Sequence, residues 1–169
     1  LTKDDFSGAN FKDKNLSNSV FGFSVLENTD FSGANLSNSN FVSATLKNTN
    51  FSNANLTNAV MSSEYTTVDS TANFTDADIS GAQIKFSKEQ LYSTKSYKEK
   101  NLRGISCLNG DLRYCDFVSQ DLTGSKFCKG YLQGAKFTDA IIEGCYFKIY
   151  EPTNGSRQGI YWSQIASTK

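Results

Sequence analysis

Apolar residues recur at every fifth position over the first third of the chain, and this period restricts what the sequence can fold into. Thirteen consecutive positions carry them, from Leu1 and Phe6 through Leu56 to Met61. A helix repeats every 3.6 residues and a strand every 2, so neither keeps such positions on one side. The chain must therefore turn within each group of five residues, which we call a pentad.

The same period returns later in the chain, and each central residue has a small partner. A second array covers residues 102–147, and a short one covers residues 74–84. Ser, Thr or Ala mostly stands two positions before the central residue, as Ala34 does before Leu36. We expect both residues to point inward and the other three outward. Each pentad then forms one side of a polygonal coil.

Central residues of like size recur at every fourth pentad, and this indicates the number of sides. Two columns with steps of 20 residues are Phe11, Phe31 and Phe51, and Leu16, Leu36 and Leu56. Dense protein interiors favour stacking of side chains of matched volume. The sequence therefore predicts four sides and about 20 residues per coil.

The pentads are similar to a known repeat. Segments such as ANFKD, ANLSN, ANFTD, ADISG, QDLTG and AKFTD resemble the A(D/N)LXX motif of the pentapeptide-repeat family. The resemblance implies an all-β fold, a right-handed quadrilateral β-helix (solenoid) with four pentapeptides per coil. Residues 62–71, 85–100 and the last twenty residues do not follow the motif. Other departures, mostly at the small-residue position, are Lys14, Lys100, Ile105, Cys107, Gly110, Cys115, Gln120, Gly130 and Cys145.

We expect one domain over residues 1–169. Its parts are the first repeat arrays (1–85), an interruption (86–101), a second array (102–148) and a C-terminal cap (149–169). The interruption begins with the capping-box pattern Ser87 to Gln90, which predicts a short helix. The cap contains Tyr161 and Trp162, which we expect to cover the last coil. The alternative is that these two aromatics form a homodimer interface at the C-terminal end.

Charge is balanced overall but not along the chain. The sequence has 17 basic and 17 acidic residues, with an acidic excess before Phe86 and a basic excess after it. Such a dipole orients charged partners. We expect the interruption to contact a protein partner, whose identity the sequence does not give; the alternative is a solvated loop between two arrays. The candidate contact residues are Tyr92, Lys95, Tyr97, Lys98 and Arg103.

Residue types exclude several chemistries. The chain has no His, which removes Ser-His-Asp and Cys-His catalysis and His-ligated zinc. Carboxylates such as Asp76 and Asp139 fall at outward positions on flat faces, without the apolar pocket that a catalytic acid–base pair requires. We therefore expect no catalytic, metal or cofactor-binding residues, and no enzyme activity. The four Cys are not spaced 20 residues apart, so we expect free thiols, which favour a reducing compartment such as the cytoplasm.

Repeated Asn-Leu-Ser/Thr-Asn segments predict rows of outward Asn at residues 15–18, 35–38 and 55–58. We expect these Asn side chains to satisfy turn and backbone groups. The alternative is a flat surface that binds an ordered lattice such as ice or polysaccharide.

Three functions remain open at this point. The first is a non-enzymatic protein-interaction scaffold. The second, implied by the resemblance, is a DNA mimic that acts on DNA gyrase; balanced charge does not favour the continuous acidic face this requires, and we expect no direct nucleic-acid binding. The third, also by resemblance, is the substrate-recognition module of a larger secreted effector. No stretch approaches the roughly 18 apolar residues of a membrane span.

Overall fold

The chain forms a coil of parallel bridges interrupted by two short helices. The computed structural model describes residues 4–61, 68, 70–108, 111–128 and 131–148. Its helices and strands are α1 (Lys88–Ser93), α2 (Lys95–Lys98), β1 (Ser106–Leu108), β2 (Lys126–Cys128) and β3 (Tyr146–Lys148). The strands pair in parallel in the order β1-β2-β3. Elsewhere a turn interrupts the chain in every pentad, so pairing is limited to single parallel bridges.

Bridge partners show that one coil takes 20 residues. Asn15 pairs with Asn35, Asn35 pairs with Asn55, and Asn101 pairs with Asp121. The fold is a right-handed quadrilateral β-helix, which confirms the predicted architecture. We number its faces by their central residues, of which those used below are Phe11, Phe31, Phe51, Phe74 and Phe117 (face 1), Leu36 and Leu102 (face 2), Ile84 and Cys107 (face 3), and Leu26, Leu46 and Leu112 (face 4).

Two coils are longer than the rest. Asn50 pairs with Asn73, and Gln83 pairs with Ser106, which is a step of 23 residues in place of 20. The longer coils contain the two predicted interruptions. Each interruption therefore adds only three residues to a coil, and the four faces stay in register beyond it.

A left-handed residue closes each turn, and this explains the Asn-rich pattern. The carbonyl of Leu36 accepts a hydrogen bond from Ser39 N at 3.1 Å, and the intervening Asn38 has a φ of 58°. Asn tolerates this conformation better than most residues. Asn35 Oδ1 also accepts from Ser37 N at 3.1 Å, an arrangement that favours a turn. One Asn-Leu-Ser-Asn segment thus encodes one corner of the coil.

Outward Asn side chains bond to one another between coils. Asn35 Nδ2 donates to Asn15 Oδ1 at 3.2 Å, and Asn58 Nδ2 donates to Asn38 Oδ1 at 3.4 Å. These outward amide groups thus form hydrogen bonds with one another within the chain. They favour the predicted turn and backbone role over a lattice-binding surface.

The core is a set of stacked columns. Phe31 is fully buried and stacks on Phe11 at 5.2 Å and on Phe51 at 5.4 Å between ring centroids. Phe41 meets it edge to face at 5.9 Å. The small partner Ala34 is also fully buried. The inward direction predicted for both kinds of residue is confirmed.

Departures from the motif are accommodated in different ways. Lys14 and Lys100 are exposed, whereas Ile105 and Cys115 are fully buried. Gln120 is buried as well, and its Nε2 donates to Tyr97 O at 3.0 Å. Cys107 is buried and Cys145 is half-buried, while Gly110 and Gly130 lie outside the described residues.

Residues 86–101, the helical segment, replace one stretch of the coil. Ser87 Oγ accepts from Gln90 N at 3.2 Å, and Gln90 Oε1 accepts from Ser87 N at 2.9 Å. This is the predicted capping box, and it begins α1. Thr94 ends α1 and caps α2. Because the segment lies between Ile84 on face 3 and Leu102 on face 2, it stands in place of faces 4 and 1.

We expect Phe31→Ala to lower the free energy of unfolding by about 3–5 kcal/mol, because it opens a cavity in a stacked column. Denaturant titration measures this loss. Lys47→Ala is the control, since Lys47 is exposed and its loss should change stability by about 0.5 kcal/mol or less. A loss below about 1 kcal/mol for Phe31→Ala would mean that Phe31 does not support the core.

Candidate interaction surface

The helical segment is joined to the coil that precedes it by backbone and side-chain bonds. Asp76 N donates to Ser93 O and Lys95 N donates to Ala77 O, both at 3.0 Å. Ser96 Oγ accepts from the backbone N–H of Ile79 at 2.9 Å. The two helices therefore provide hydrogen-bond partners for residues 76–79, which join faces 1 and 2 of the preceding coil, although they have no extended backbone there.

Two stacked tyrosines join the segment to the coil that follows it. The rings of Tyr92 and Tyr97 lie 4.3 Å apart between centroids. Tyr97 Oη donates to Asp116 O at 2.7 Å, and Tyr92 Oη accepts from Asp116 N at 2.6 Å. Burial, reinforced by the adjacent Tyr92, raises the pKa of Tyr97 well above its usual value. Both tyrosines thus replace the backbone groups that a regular coil would offer to Asp116.

The three predicted cationic contacts lie on the outer side of this region and are paired with acids. Lys98 Nζ lies 2.7 Å from Asp76 Oδ1, and Arg103 Nη1 lies 2.7 Å from Asp121 Oδ2. Lys95 Nζ is 4.0 Å from a Glu99 carboxylate oxygen. All three side chains remain about half exposed.

The structure thus separates the five predicted contact residues into two groups. Tyr92 and Tyr97 lie together against Asp116, whereas Lys95, Lys98 and Arg103 form an outer rim. The other two candidates, Tyr161 and Trp162, lie outside the described residues. That the first five contact a partner stays a prediction, as does the cap or homodimer role of Tyr161 and Trp162.

Exposed aromatics beside the helical segment were not predicted as contacts. Tyr114 is 64% exposed and Tyr131 is 61% exposed. Arg113 lies over the Tyr131 ring, 5.8 Å from its centroid. The sequence does contain the signal, because both tyrosines occupy outward positions of their pentads, where most residues are polar.

Tyr114 also has an unusual backbone. Its φ is 59°, and of the fourteen non-Gly residues with positive φ in the described part of the chain, twelve are Asn, Asp, Ser or Lys. The other exception is Phe23, which is also exposed. The left-handed conformation costs a bulky residue roughly 1–2 kcal/mol. Such strain at an exposed aromatic is typical of functional positions.

A groove runs between the start of α1 and the turn that contains Tyr114. It has a volume of about 630 Å³. Its lining comprises Val68, Ser70, Lys85, Phe86, Ser87, Lys88, Glu89, Gln90, Asp111, Arg113 and Tyr114.

Charges around the groove are partly paired. Arg113 binds Asp111 through two nitrogens, Nε at 2.8 Å and Nη2 at 2.5 Å. Lys88 Nζ donates to Tyr114 O at 3.4 Å and lies 5.5 Å from the centroid of the Tyr92 ring. Lys85 is exposed at the border of the groove.

The four cysteines are free thiols, as predicted. Burial raises the pKa of Cys107 to about 12 and that of Cys115 to about 11. Burial also raises the pKa of Cys145 to about 11. These thiols stay protonated at neutral pH, so they act as small core side chains and not as nucleophiles.

No group of three or more His, Cys, Asp or Glu in the described ranges is placed to hold a metal ion. Neither helix, nor any other in the part that the structure describes, has the length and apolar character of a membrane span.

Comparison with known proteins agrees with this geometry. The family model described as pentapeptide repeats (8 copies) matches residues 5–38 and, overlapping with them, 24–62. This chain carries pentapeptide repeats. The match covers about a third of the chain, and parallel pairing continues the repeat coil as far as β3. No curated protein matches the chain significantly.

Solved structures similar to this repeat protein include a pentapeptide repeat protein from the Arabidopsis thaliana thylakoid lumen, at 18% identity over 92% of this chain and 83% of the other, with a TM-score of 0.38. A pentapeptide repeat protein from Nostoc PCC 7120 matches at 25% identity over 68% and 70%, with a TM-score of 0.39. QnrB1, a plasmid-mediated fluoroquinolone resistance protein, matches at 16% identity over 87% and 74%, with a TM-score of 0.39.

Buried thiols make stability depend on alkaline pH. The pKa of Cys115 is about 11 in the fold but about 8.5 in an unfolded chain, so the unfolded chain loses its proton first. The contribution of this protonated thiol to stability is thus fully present below about pH 8.5, and it is lost as the pH rises from there towards 11. We expect Cys115→Ala, which restores the usual small residue, to make this fall shallower in denaturant titrations under reducing conditions. Equal slopes for parent and variant would contradict this account.

Proposed function

We propose that this pentapeptide-repeat protein is a non-enzymatic protein-interaction scaffold. The observation that carries the proposal is Tyr114, an aromatic residue that is both exposed and left-handed on a coil whose outward positions are mostly Asn and Ser. Neither property stabilises the fold. Tyrosine is enriched where proteins meet, since it offers a large contact area with little conformational freedom to lose.

The coil presents this surface rigidly. Stacked core columns and parallel bridges hold each face in one conformation. A preorganised surface binds more tightly than a flexible one, because less entropy is lost on association. The helical segment, anchored to the coils before and after it, shares this rigidity.

The outer rim of Lys95, Lys98 and Arg103 lies in the same region of the coil. Exposed ion pairs such as Lys98 with Asp76 contribute about 1 kcal/mol or less to stability. Each cation can therefore leave the carboxylate that it pairs with in this chain and pair with a carboxylate of a partner.

Carboxyl groups with resolved shifts support a non-enzymatic role. A backbone hydrogen bond from Ser32 lowers the pKa of Asp30, and the Arg113 side chain lowers that of Asp111. Such carboxylates are fully ionised at neutral pH. A general acid or base requires the opposite, a pKa moved towards the working pH.

The gyrase-directed alternative requires a continuous acidic face. The outward column beside the face 2 core instead mixes amides, acids and one apolar residue, since it contains Asn15, Asn35, Asn55, Asp78, Asn101, Asp121 and Ile141. A supercoiling assay with purified gyrase and a quinolone tests this alternative. An unchanged activity at excess protein rejects it.

A comparison of variants tests the scaffold proposal. We expect Lys95→Ser, Lys98→Ser and Arg103→Ser together to reduce recovery of a partner from lysate of the source organism, measured by quantitative mass spectrometry. The control variant replaces Lys12, Lys14 and Lys47 by Ser, which removes the same charge from exposed positions on other coils. Recovery of the same proteins by all three chains would reject the rim as a contact surface.

A further inference from the structure

The helical segment leaves the next coil without a regular neighbour on two faces, and only one of them is repaired. On face 1, Asp116 N and O bind the two tyrosine hydroxyls, and Lys100 Nζ donates to Val118 O at 3.3 Å. These three backbone atoms are the ones that a regular coil pairs with the coil before it. Face 1 is therefore closed by side chains.

On face 4 the equivalent atoms are Asp111 N, Asp111 O and Arg113 O. In regular coils of this face, Leu26 N donates to Thr45 O and Asn28 N donates to Lys47 O. No hydrogen bond between described residues joins those Asp111 and Arg113 atoms to α1. Among the described residues, these three backbone atoms thus have no partner in the coil before them, and the edge that they form, one bridge position followed by a turn, is open towards α1.

The groove lies along this open edge. Asp111, Arg113 and Tyr114 form one wall, and the start of α1 with Val68 and Ser70 forms the other. Its position is that of the regular pentad which the helical segment replaces on face 4. An open edge beside a cleft is the geometry in which an extended peptide adds to a sheet.

Charge defines what the groove accepts. Arg113 and Asp111 neutralise each other, so the remaining charged side chains of the lining are Lys85, Lys88 and Glu89. The balance is positive. Beside them Tyr114 offers an exposed ring that lies against Gly134, where a Cβ would come within 2.5 Å of Tyr114 Cδ1.

We propose that the groove binds an extended acidic peptide of a partner protein, which pairs as an added strand with the edge formed by Asp111 and Arg113. The proposal rests on the scaffold function and names the chemistry of the partner. Backbone pairing provides the register, Lys85 and Lys88 select acidic side chains, and Tyr114 packs on the peptide.

Fluorescence anisotropy with defined peptides tests the proposal on the full chain. The probe is a fluorescein-labelled peptide of alternating Glu and Val, about ten residues long. Two versions carry backbone N-methyl groups on either the Glu or the Val residues, which removes the N–H donors of one strand edge. A fourth peptide replaces every Glu by Lys.

We expect saturable binding of the Glu-Val peptide and about tenfold or more weaker binding of the Lys-Val peptide. At least one N-methylated version should lose binding. Lys85→Glu should weaken binding about tenfold, whereas Lys47→Glu, the same change on face 4 of another coil, should leave it unchanged. Equal binding of both charge types, or of all N-methylated versions, would overturn the proposal.

Tyr114→Asn separates binding from folding. Asn suits the left-handed backbone, so the variant should unfold at a higher denaturant concentration than the parent and still bind the Glu-Val peptide more weakly. Unchanged peptide affinity in this more stable variant would remove Tyr114 from the site.

Two further outcomes distinguish this inference from the function on which it rests. If no peptide binds but the rim variant still loses its partner, the groove proposal fails and the scaffold stands. If the chain sediments as a dimer that the Glu-Val peptide does not dissociate and Lys85→Glu does, a second copy occupies the groove and the acidic-peptide proposal is wrong.

Discussion

Hydrogen bonds between successive coils are the constraint on which the rest of this structure depends. Each regular pentad offers an N–H and two carbonyls to the coil before it, as Asn35 N does to Lys14 O and Asn55 O does to Leu36 N. Backbone groups of this kind cannot be buried or stacked without partners. The core columns bury apolar side chains with the same repeat, so one arrangement provides both the hydrogen bonds between coils and the packing of the core. An interruption must therefore either replace the hydrogen bonds between coils or leave backbone groups of the next coil without partners.

The helical segment does both. On face 1, Tyr92, Tyr97 and Lys100 supply side-chain groups in place of backbone groups. This explains why the two tyrosines predicted as partner contacts form hydrogen bonds within the chain. On face 4 the same insertion leaves the edge at Asp111 and Arg113 beside a groove. Proteins usually cover or disrupt exposed edges, because such edges pair with other chains. An open edge flanked by Lys85, Lys88 and a strained Tyr114 is therefore the feature of this surface that fits recruitment of another chain best.

Much of the fold follows from the sequence, and the reason is local. The five-residue period, the left-handed Asn residues and the Ser87 capping box each depend on neighbours within a few positions, so the coil, its corners and the start of α1 were predictable. The roles of Tyr92 and Tyr97 were not, since they depend on Asp116, a residue of the following coil. The exposure of Tyr114 could have been predicted, because the five-residue period places it at an outward position. The groove was not, because a capping box predicts where a helix begins but not which strand it displaces.

Dipolar coupling between spin labels tests the four-sided coil most directly. In a background without native cysteines, labels at Ser37 and Thr57 occupy equivalent outward positions of adjacent coils, with Cα atoms about 5 Å apart. Labels at Ser37 and Lys47 are closer in sequence but lie on opposite faces. The account predicts strong dipolar broadening for the first pair and little for the second. Equal broadening in both pairs, or stronger broadening between Ser37 and Lys47, would contradict a coil of four pentads.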